Sequence, residues 1–105
     1  MKEITVQQLH EKIQNKEDFQ LIDVREEFEY ETVNLGGELL PMSHVFDRVD
    51  KIDRNKTVVI HCKSGGRSAV VVRELEKRFG FTNLYNLKGG ILAYAREVDT
   101  TLPTY

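Results

Sequence analysis

Short apolar runs alternate along the chain with segments in which apolar residues recur every three or four positions. The first pattern is typical of buried strands and the second of amphipathic helices. Strands are predicted at 4–6, 19–24, 38–41, 57–61 and 84–87, and helical segments at 5–13, 26–30, 43–51, 68–79 and 91–98. This alternation predicts an α/β fold with a mostly parallel sheet of about five strands and helices on both faces.

Two of the helical segments carry finer expectations. Ser43 is placed to cap a helix that continues to about Lys51, with Val45, Val49 and Ile52 on one face. The acidic stretch from Glu26 to Glu29 is most simply a solvated helical face.

Composition limits the classes of function. The chain has 105 residues, 40% hydrophobic and 30% charged, so one globular domain over residues 1–105 is expected. The formal net charge of −2 gives no reason to expect nucleic acid as a partner. No apolar stretch approaches the length of a membrane span, and the N-terminus lacks an apolar signal core. The expected location is therefore the cytoplasm, without membrane contact.

Cys62 is the single cysteine, so no intramolecular disulfide is possible. His10, His44 and His61 are far apart and lack partners at metal-ligand spacing, so no metal site is expected. A lone cysteine is by itself most simply a small buried hydrophobe.

Its position changes that interpretation. Asp23-Val24-Arg25, Cys62 and Lys88-Gly89-Gly90 each follow a predicted strand. In parallel sheets the carboxyl ends of strands meet at one edge, where ligands bind. This convergence favours Cys62 as a nucleophile.

The residues that follow Cys62 suit an anion. Gly65 and Gly66 allow positive φ, so that successive N–H groups can point inward as a nest, and a helix begins at once. Lys63 and Arg67 add two positive charges, and Ser64 and Ser68 complete the loop. A thiolate at its centre is expected to have a lowered pKa.

Three segments resemble the rhodanese homology domain, in order and over nearly the whole chain. They are Leu21-Ile22-Asp23-Val24-Arg25-Glu26, Val58-Val59-Ile60-His61-Cys62-Lys63-Ser64-Gly65-Gly66-Arg67-Ser68 and Gly80-Phe81-Thr82-Asn83-Leu84-Tyr85-Asn86-Leu87-Lys88-Gly89-Gly90. The chain is also similar to the rhodanese domain at the C-terminus of some adenylyltransferases that activate sulfur-carrier proteins. The resemblance implies a three-layer rhodanese-like fold.

The resemblance also implies a sulfurtransferase that needs no cofactor. Cys62 would take sulfur from a small anionic donor such as thiosulfate, become a persulfide, and pass the sulfur to cyanide, a thiol or a sulfur-accepting protein. The N–H groups of residues 63–67 would cradle the sulfur, and Lys63 and Arg67 would attract the donor. Asp23 and Arg25 resemble the family's pair near the loop, most simply an ion pair that fixes the strand end.

Two departures from the family pattern are placed to alter packing or the mouth of the site, and so leave the donor preference open. The usual His-Ile-x-Gly-Ala/Ser element reads Asn34-Leu35-Gly36-Gly37, and the aromatic residue after the Gly-Gly turn, commonly Trp, is Tyr94. His61 has two interpretations, as a base or tuner of the thiolate and as a structural residue. Strand alternation points its side chain away from that of Cys62 and favours the structural one.

Two other functions compete with this one. A cysteine phosphatase or arsenate reductase is suggested by His61-Cys62 and Arg67-Ser68, which resemble the tyrosine-phosphatase signature. That signature has five residues between Cys and Arg, whereas four intervene here. The smaller ring suits a single sulfur atom better than a phosphate group. The other alternative is a persulfide carrier or protein-binding module that delivers sulfur to one partner, since fold does not determine function.

Overall fold

The computed structural model describes residues 1–105 and shows five strands and four α-helices in alternation. The strands are β1 (Glu3–Ile4), β2 (Gln20–Asp23), β3 (Glu38–Leu39), β4 (Val58–His61) and β5 (Leu84–Leu87). The helices are α1 (Val6–Gln14), α2 (Glu27–Thr32), α3 (Gly66–Phe79) and α4 (Gly90–Glu97). None of them has the length and apolar character that a membrane span requires.

The strands form one sheet in the order β1-β5-β4-β2-β3, and every pair is parallel. The predicted α/β class is confirmed, and the sheet is wholly rather than mostly parallel. β4 lies at its centre between β5 and β2, with Asp23 opposite His61 in the register. All carboxyl ends therefore meet at one edge, and Cys62 follows the central strand there.

Each sheet face carries a separate apolar cluster, which gives the predicted three layers. On one face, Ile60 and Cys62 pack with α3 residues such as Val72 and Leu75. On the other, Val59 packs with residues of α1 and α4, including Leu9 and Tyr94. Successive residues of β4 thus face opposite clusters, as strand geometry requires.

The predicted helix over 43–51 is wrong. Two short 3₁₀ turns, Val45–Asp47 and Val49–Lys51, occupy the segment, and Arg48 between them has φ −132° and ψ 33°. Ser43 makes no cap bond, because His44 is the residue that precedes the first turn. β-Branched residues and aspartates are weak helix formers, and burial of Val45 and Ile52 against the sheet is achieved without a continuous helix.

Candidate active site

Three hydrogen-bond donors surround the sulfur of Cys62. The Gly65 N–H lies 3.1 Å from Sγ, the Ser68 N–H 3.4 Å and the Ser68 hydroxyl 3.3 Å. Gly65 immediately precedes α3 and Ser68 lies in its first turn, so the sulfur faces the start of a 14-residue helix. Backbone donors at a helix N-terminus stabilise negative charge.

Burial and these donors act on the thiol in opposite directions. Cys62 is 1% exposed, and burial alone would raise the pKa of its thiol. The Ser68 hydroxyl and the N–H groups of Ser68, Gly65 and Ser64 outweigh burial, so the pKa of Cys62 lies below its ordinary value. The site therefore favours the thiolate, which is the nucleophilic form.

Only one of the two loop glycines has the left-handed conformation. Gly65 has φ 104° and ψ −10°, and this turns its N–H towards the sulfur. Gly66 is already the first residue of α3, and its φ is not positive. The nest predicted from a glycine pair thus depends on Gly65, while Gly66 has open space where a Cβ would lie.

The two loop cations, both predicted to attract a donor, differ in their pairing. Arg67 binds Glu29 through both prongs, at 2.7 and 2.8 Å. Glu29 is 5% exposed, so the prediction of a solvated acidic face is wrong at this position. Lys63 forms no salt bridge, and its Nζ lies 4.4 Å from the centre of the Tyr105 ring. Lys63 is therefore the loop cation whose charge no carboxylate offsets.

Asp23 and Arg25 form a fully buried ion pair at the end of β2. Arg25 Nη2 lies 2.7 Å from Asp23 Oδ2, and Nε also donates to the carboxylate. The same guanidinium donates to the carbonyl of Val33 and to the hydroxyl of Tyr105, which in turn donates to Glu29. The pair links the strand end to α2 and to the C-terminal residue, and neither side chain contacts Sγ.

The structure agrees with the structural interpretation of His61. Its ring is fully buried, has no hydrogen-bond partner, and lies with Nε2 3.7 Å from Asp23 Oδ2. Burial lowers the pKa of His61, so the imidazole is neutral. No hydrogen bond joins it to the sulfur of Cys62.

The two departures from the family pattern lie away from the sulfur. Gly37 passes close to Leu21, where a Cβ would come within 2.9 Å of the neighbouring backbone, and its carbonyl accepts from the Tyr30 hydroxyl. Tyr94 is 6% exposed within the α1–α4 cluster, and its hydroxyl lies 3.2 Å from His10 Nδ1. Both act in packing.

Three residues that sequence reasoning left out of the site contact its members: Glu29, Asn86 and Tyr105. Asn86 lies in β5, where its amide touches both Ser68 and Gly65. Asn86 could have been found from the sequence, because it is a polar residue in an otherwise apolar strand. Glu29 and Tyr105 carry no such signal, because their contacts depend on how distant segments meet.

The assembled site is a buried thiol whose anion is stabilised by neutral donors, with one unpaired cation nearby. Such a site can attack an electrophilic sulfur and hold the sulfur it receives. No group of three or more His, Cys, Asp or Glu side chains is arranged to hold a metal ion.

Comparison with known proteins agrees with this geometry. The family model of the rhodanese-like domain matches residues 5–97. This chain belongs to the rhodanese-like domain family. The rhodanese-like domain protein of Staphylococcus aureus has the same fold, with a TM-score of 0.83 at 30% identity, covering 100% of this chain and 99% of that one.

Two curated relatives are much longer proteins. The chain is 39% identical to the chloroplastic rhodanese-like/PpiC domain-containing protein 12 of Arabidopsis thaliana, over 100% of its own length and 38% of that protein. It is 30% identical to the adenylyltransferase and sulfurtransferase UBA4 of Debaryomyces hansenii, over 97% of its own length and 25% of that protein. The rhodanese-like chain thus spans well under half of either relative.

Proposed function

We propose that this protein is a sulfurtransferase in which Cys62 carries a sulfur atom as a persulfide. The observation that carries the proposal is the set of donors on Sγ, from Gly65 and Ser68, around a thiol whose pKa is lowered. Membership of the rhodanese-like family, and a relative named a sulfurtransferase, support the same chemistry.

The first half-reaction loads the cysteine. The Cys62 thiolate attacks the outer sulfur of an anionic donor such as thiosulfate, and a new S–S bond forms. The bond between the two donor sulfurs breaks, and sulfite leaves with its electron pair. The outer sulfur of the resulting persulfide carries the negative charge, which N–H groups of residues 63–67 stabilise.

The second half-reaction returns the thiolate. A nucleophilic acceptor, such as cyanide or a thiolate, attacks the outer persulfide sulfur, and Cys62 leaves as the stabilised anion. The same donors that activate the nucleophile therefore improve it as a leaving group, since a thiol of low pKa leaves faster. No external oxidant or reductant is needed, because sulfane sulfur moves between nucleophiles.

The electrostatics favour a small anionic donor. Arg67 is already paired with Glu29, so the attraction comes from Lys63. Asp23 is bound to Arg25 and buried, which removes it as the general acid that a cysteine phosphatase would need. The four-residue spacing and the buried aspartate together disfavour the phosphatase.

Steady-state kinetics with thiosulfate and cyanide test the proposal. We expect thiocyanate formation with ping-pong kinetics, and its loss in Cys62→Ser. Absence of turnover together with hydrolysis of an aryl phosphate would instead support the phosphatase. Charging by a protein donor but not by thiosulfate would point to the dedicated carrier.

A further inference from the structure

Asn86 places one amide against both residues that donate to the sulfur. It lies in β5 and is 3% exposed. Its Oδ1 accepts from the Ser68 hydroxyl at 2.5 Å, and its Nδ2 donates to the Gly65 carbonyl at 3.3 Å. The N–H of Gly65 and the hydroxyl of Ser68 are in turn donors to Cys62 Sγ.

The Ser68 hydroxyl has one hydrogen and two acceptors within reach. Asn86 Oδ1 lies 2.5 Å from Oγ, and Cys62 Sγ lies 3.3 Å from it. A hydroxyl donates only one hydrogen bond. The amide cannot turn over to offer Ser68 a donor, because its oxygen would then face the carbonyl of Gly65. The two acceptors therefore compete.

We propose that Asn86 is a positioning residue that accepts the Ser68 hydroxyl hydrogen while the Cys62 sulfur is neutral and loses it to the sulfur when the thiolate forms. The inference rests on the proposed role of Cys62 as the nucleophile. A charged sulfur is the stronger acceptor, so the hydroxyl rotates towards it when the thiol proton leaves for solvent.

The exchange leaves a buried amide oxygen without a donor. That loss has a free-energy cost, so Asn86 opposes thiolate formation and moderates the effect of the other loop donors. Once the persulfide forms, the inner sulfur is uncharged and the hydroxyl returns to Asn86. The residue thereby tunes the nucleophile, since an attacking thiol works best with a pKa near the ambient pH.

The charged groups around the thiol stay in place when Asn86 changes. Lys63 and Arg67 lie in the loop, and Arg67 is paired with Glu29 of α2. His61 is neutral and faces the opposite side of β4, and Lys88, beyond the end of β5, is exposed. None of these residues contacts the Asn86 amide. A substitution at Asn86 therefore changes the pKa of Cys62 through the Ser68 hydroxyl.

The rate of alkylation of Cys62 by iodoacetamide, measured against pH, gives the pKa of the thiol in each variant. We expect Asn86→Leu to lower that pKa by about one pH unit, because the hydroxyl becomes free for the thiolate. Ser68→Ala should raise it by a similar amount, and the double variant should match Ser68→Ala alone. An unchanged or raised pKa in Asn86→Leu would overturn the proposal.

Asn86→Asp separates competition from loss of the bond to Gly65. Both Asp and Leu remove the Nδ2 donor, so a purely structural effect moves the pKa in the same direction in both. Leu lowers the pKa if the two acceptors compete. The carboxylate of Asp raises it by its own charge as well as by holding the hydroxyl, so Asn86→Asp is also made in Ser68→Ala, where only the charge acts. Competition predicts the larger rise when Ser68 is present, and equal rises would overturn the proposal. If Asn86→Leu does not fold, Asn86→Val takes its place and should also lower the pKa of Cys62. Alkylation needs no sulfur transfer, so this result is independent of whether the persulfide forms.

Discussion

Arg67 and Glu29 form a two-pronged ion pair beside the loop that follows Cys62, with Nη1–Oε1 at 2.7 Å and Nη2–Oε2 at 2.8 Å. Arg67 is the second residue of α3, and Glu29 lies in α2. The pair therefore joins α3, which begins four residues after Cys62, to α2, the helix that follows β2. The pair holds the loop, and in the proposed reaction the cation left to attract a donor is Lys63.

Acid should destabilise the protein through Glu29. The hydrogen bonds from Arg67, against the opposing effect of burial, lower the pKa of Glu29 from 4.5 to about 2. A carboxylate whose pKa is lower in the folded than in the unfolded protein stabilises the fold while it is ionised. This contribution is therefore complete above pH 4.5, the pKa in the unfolded chain, and is lost as the pH falls towards 2. Glu29→Gln should lower the free energy of unfolding by about 2 kcal/mol at pH 7, because it removes one partner of the pair. The loss is no larger because Arg67 is partly exposed and solvent weakens the pair.

Urea unfolding of the wild type and Glu29→Gln at pH 7 and pH 3 measures this contribution. The difference between the two proteins should shrink at pH 3. Glu27→Gln, an exposed residue of the same helix, is the control and should change little. Equal stability of Glu29→Gln and wild type at pH 7 would contradict the role given to the pair.

Lys63→Gln should weaken binding of anionic donors more than it slows chemistry. Lys63 is the loop cation without a carboxylate partner, and the donors on Sγ come from other residues. We expect KM for thiosulfate to rise several-fold, with a smaller change in kcat, and the wild-type KM to rise with salt as charge attraction is screened. A Lys63→Gln variant with unchanged KM and unchanged salt dependence would show that Lys63 does not attract the donor.

Gly90→Ala should disrupt the loop, while Gly66→Ala should be tolerated. Gly90 has φ 62°, and an added Cβ would collide with the carbonyl of Lys63 and lie 2.6 Å from that of Cys62. Gly66 opens α3 and has free space around it. Comparing the thermal stability and turnover of the two variants tests the difference. Full activity in Gly90→Ala would contradict the close approach of α4 to the Cys62 loop.

The fold could be predicted because its signals are local. The run at 57–61, the glycines that follow it and the helical period after them identify β4, the loop and α3 without tertiary information. Thr5 likewise caps α1 with a capping box in which Gln8 takes part. The prediction of a helix at 43–51 was wrong because Val45 and Ile52 have the spacing of a helical face. In the structure their packing against the sheet, and not helix propensity, determines the backbone conformation.

The site could be predicted only in part, because pairing across the fold leaves little trace in sequence. Cys62 and its loop are contiguous, so their proximity was predictable. Glu29 reads as one of several exposed acidic residues until the fold brings α2 against Arg67. Tyr105 meets Arg25 across a sequence separation of 80 residues. Partners at such separations depend on tertiary packing that periodicity does not encode.

The central claim is that Cys62 holds a transferable sulfur, and intact-mass measurement of the protein tests it most directly. After incubation with thiosulfate and removal of excess donor, we predict a mass gain of one sulfur atom that cyanide reverses. Cys62→Ala should fold, since only a sulfur atom is removed from the core, and should show no gain. A wild-type protein that gains no sulfur from thiosulfate or any other sulfane donor, while Cys62 remains a free thiol, would contradict the account.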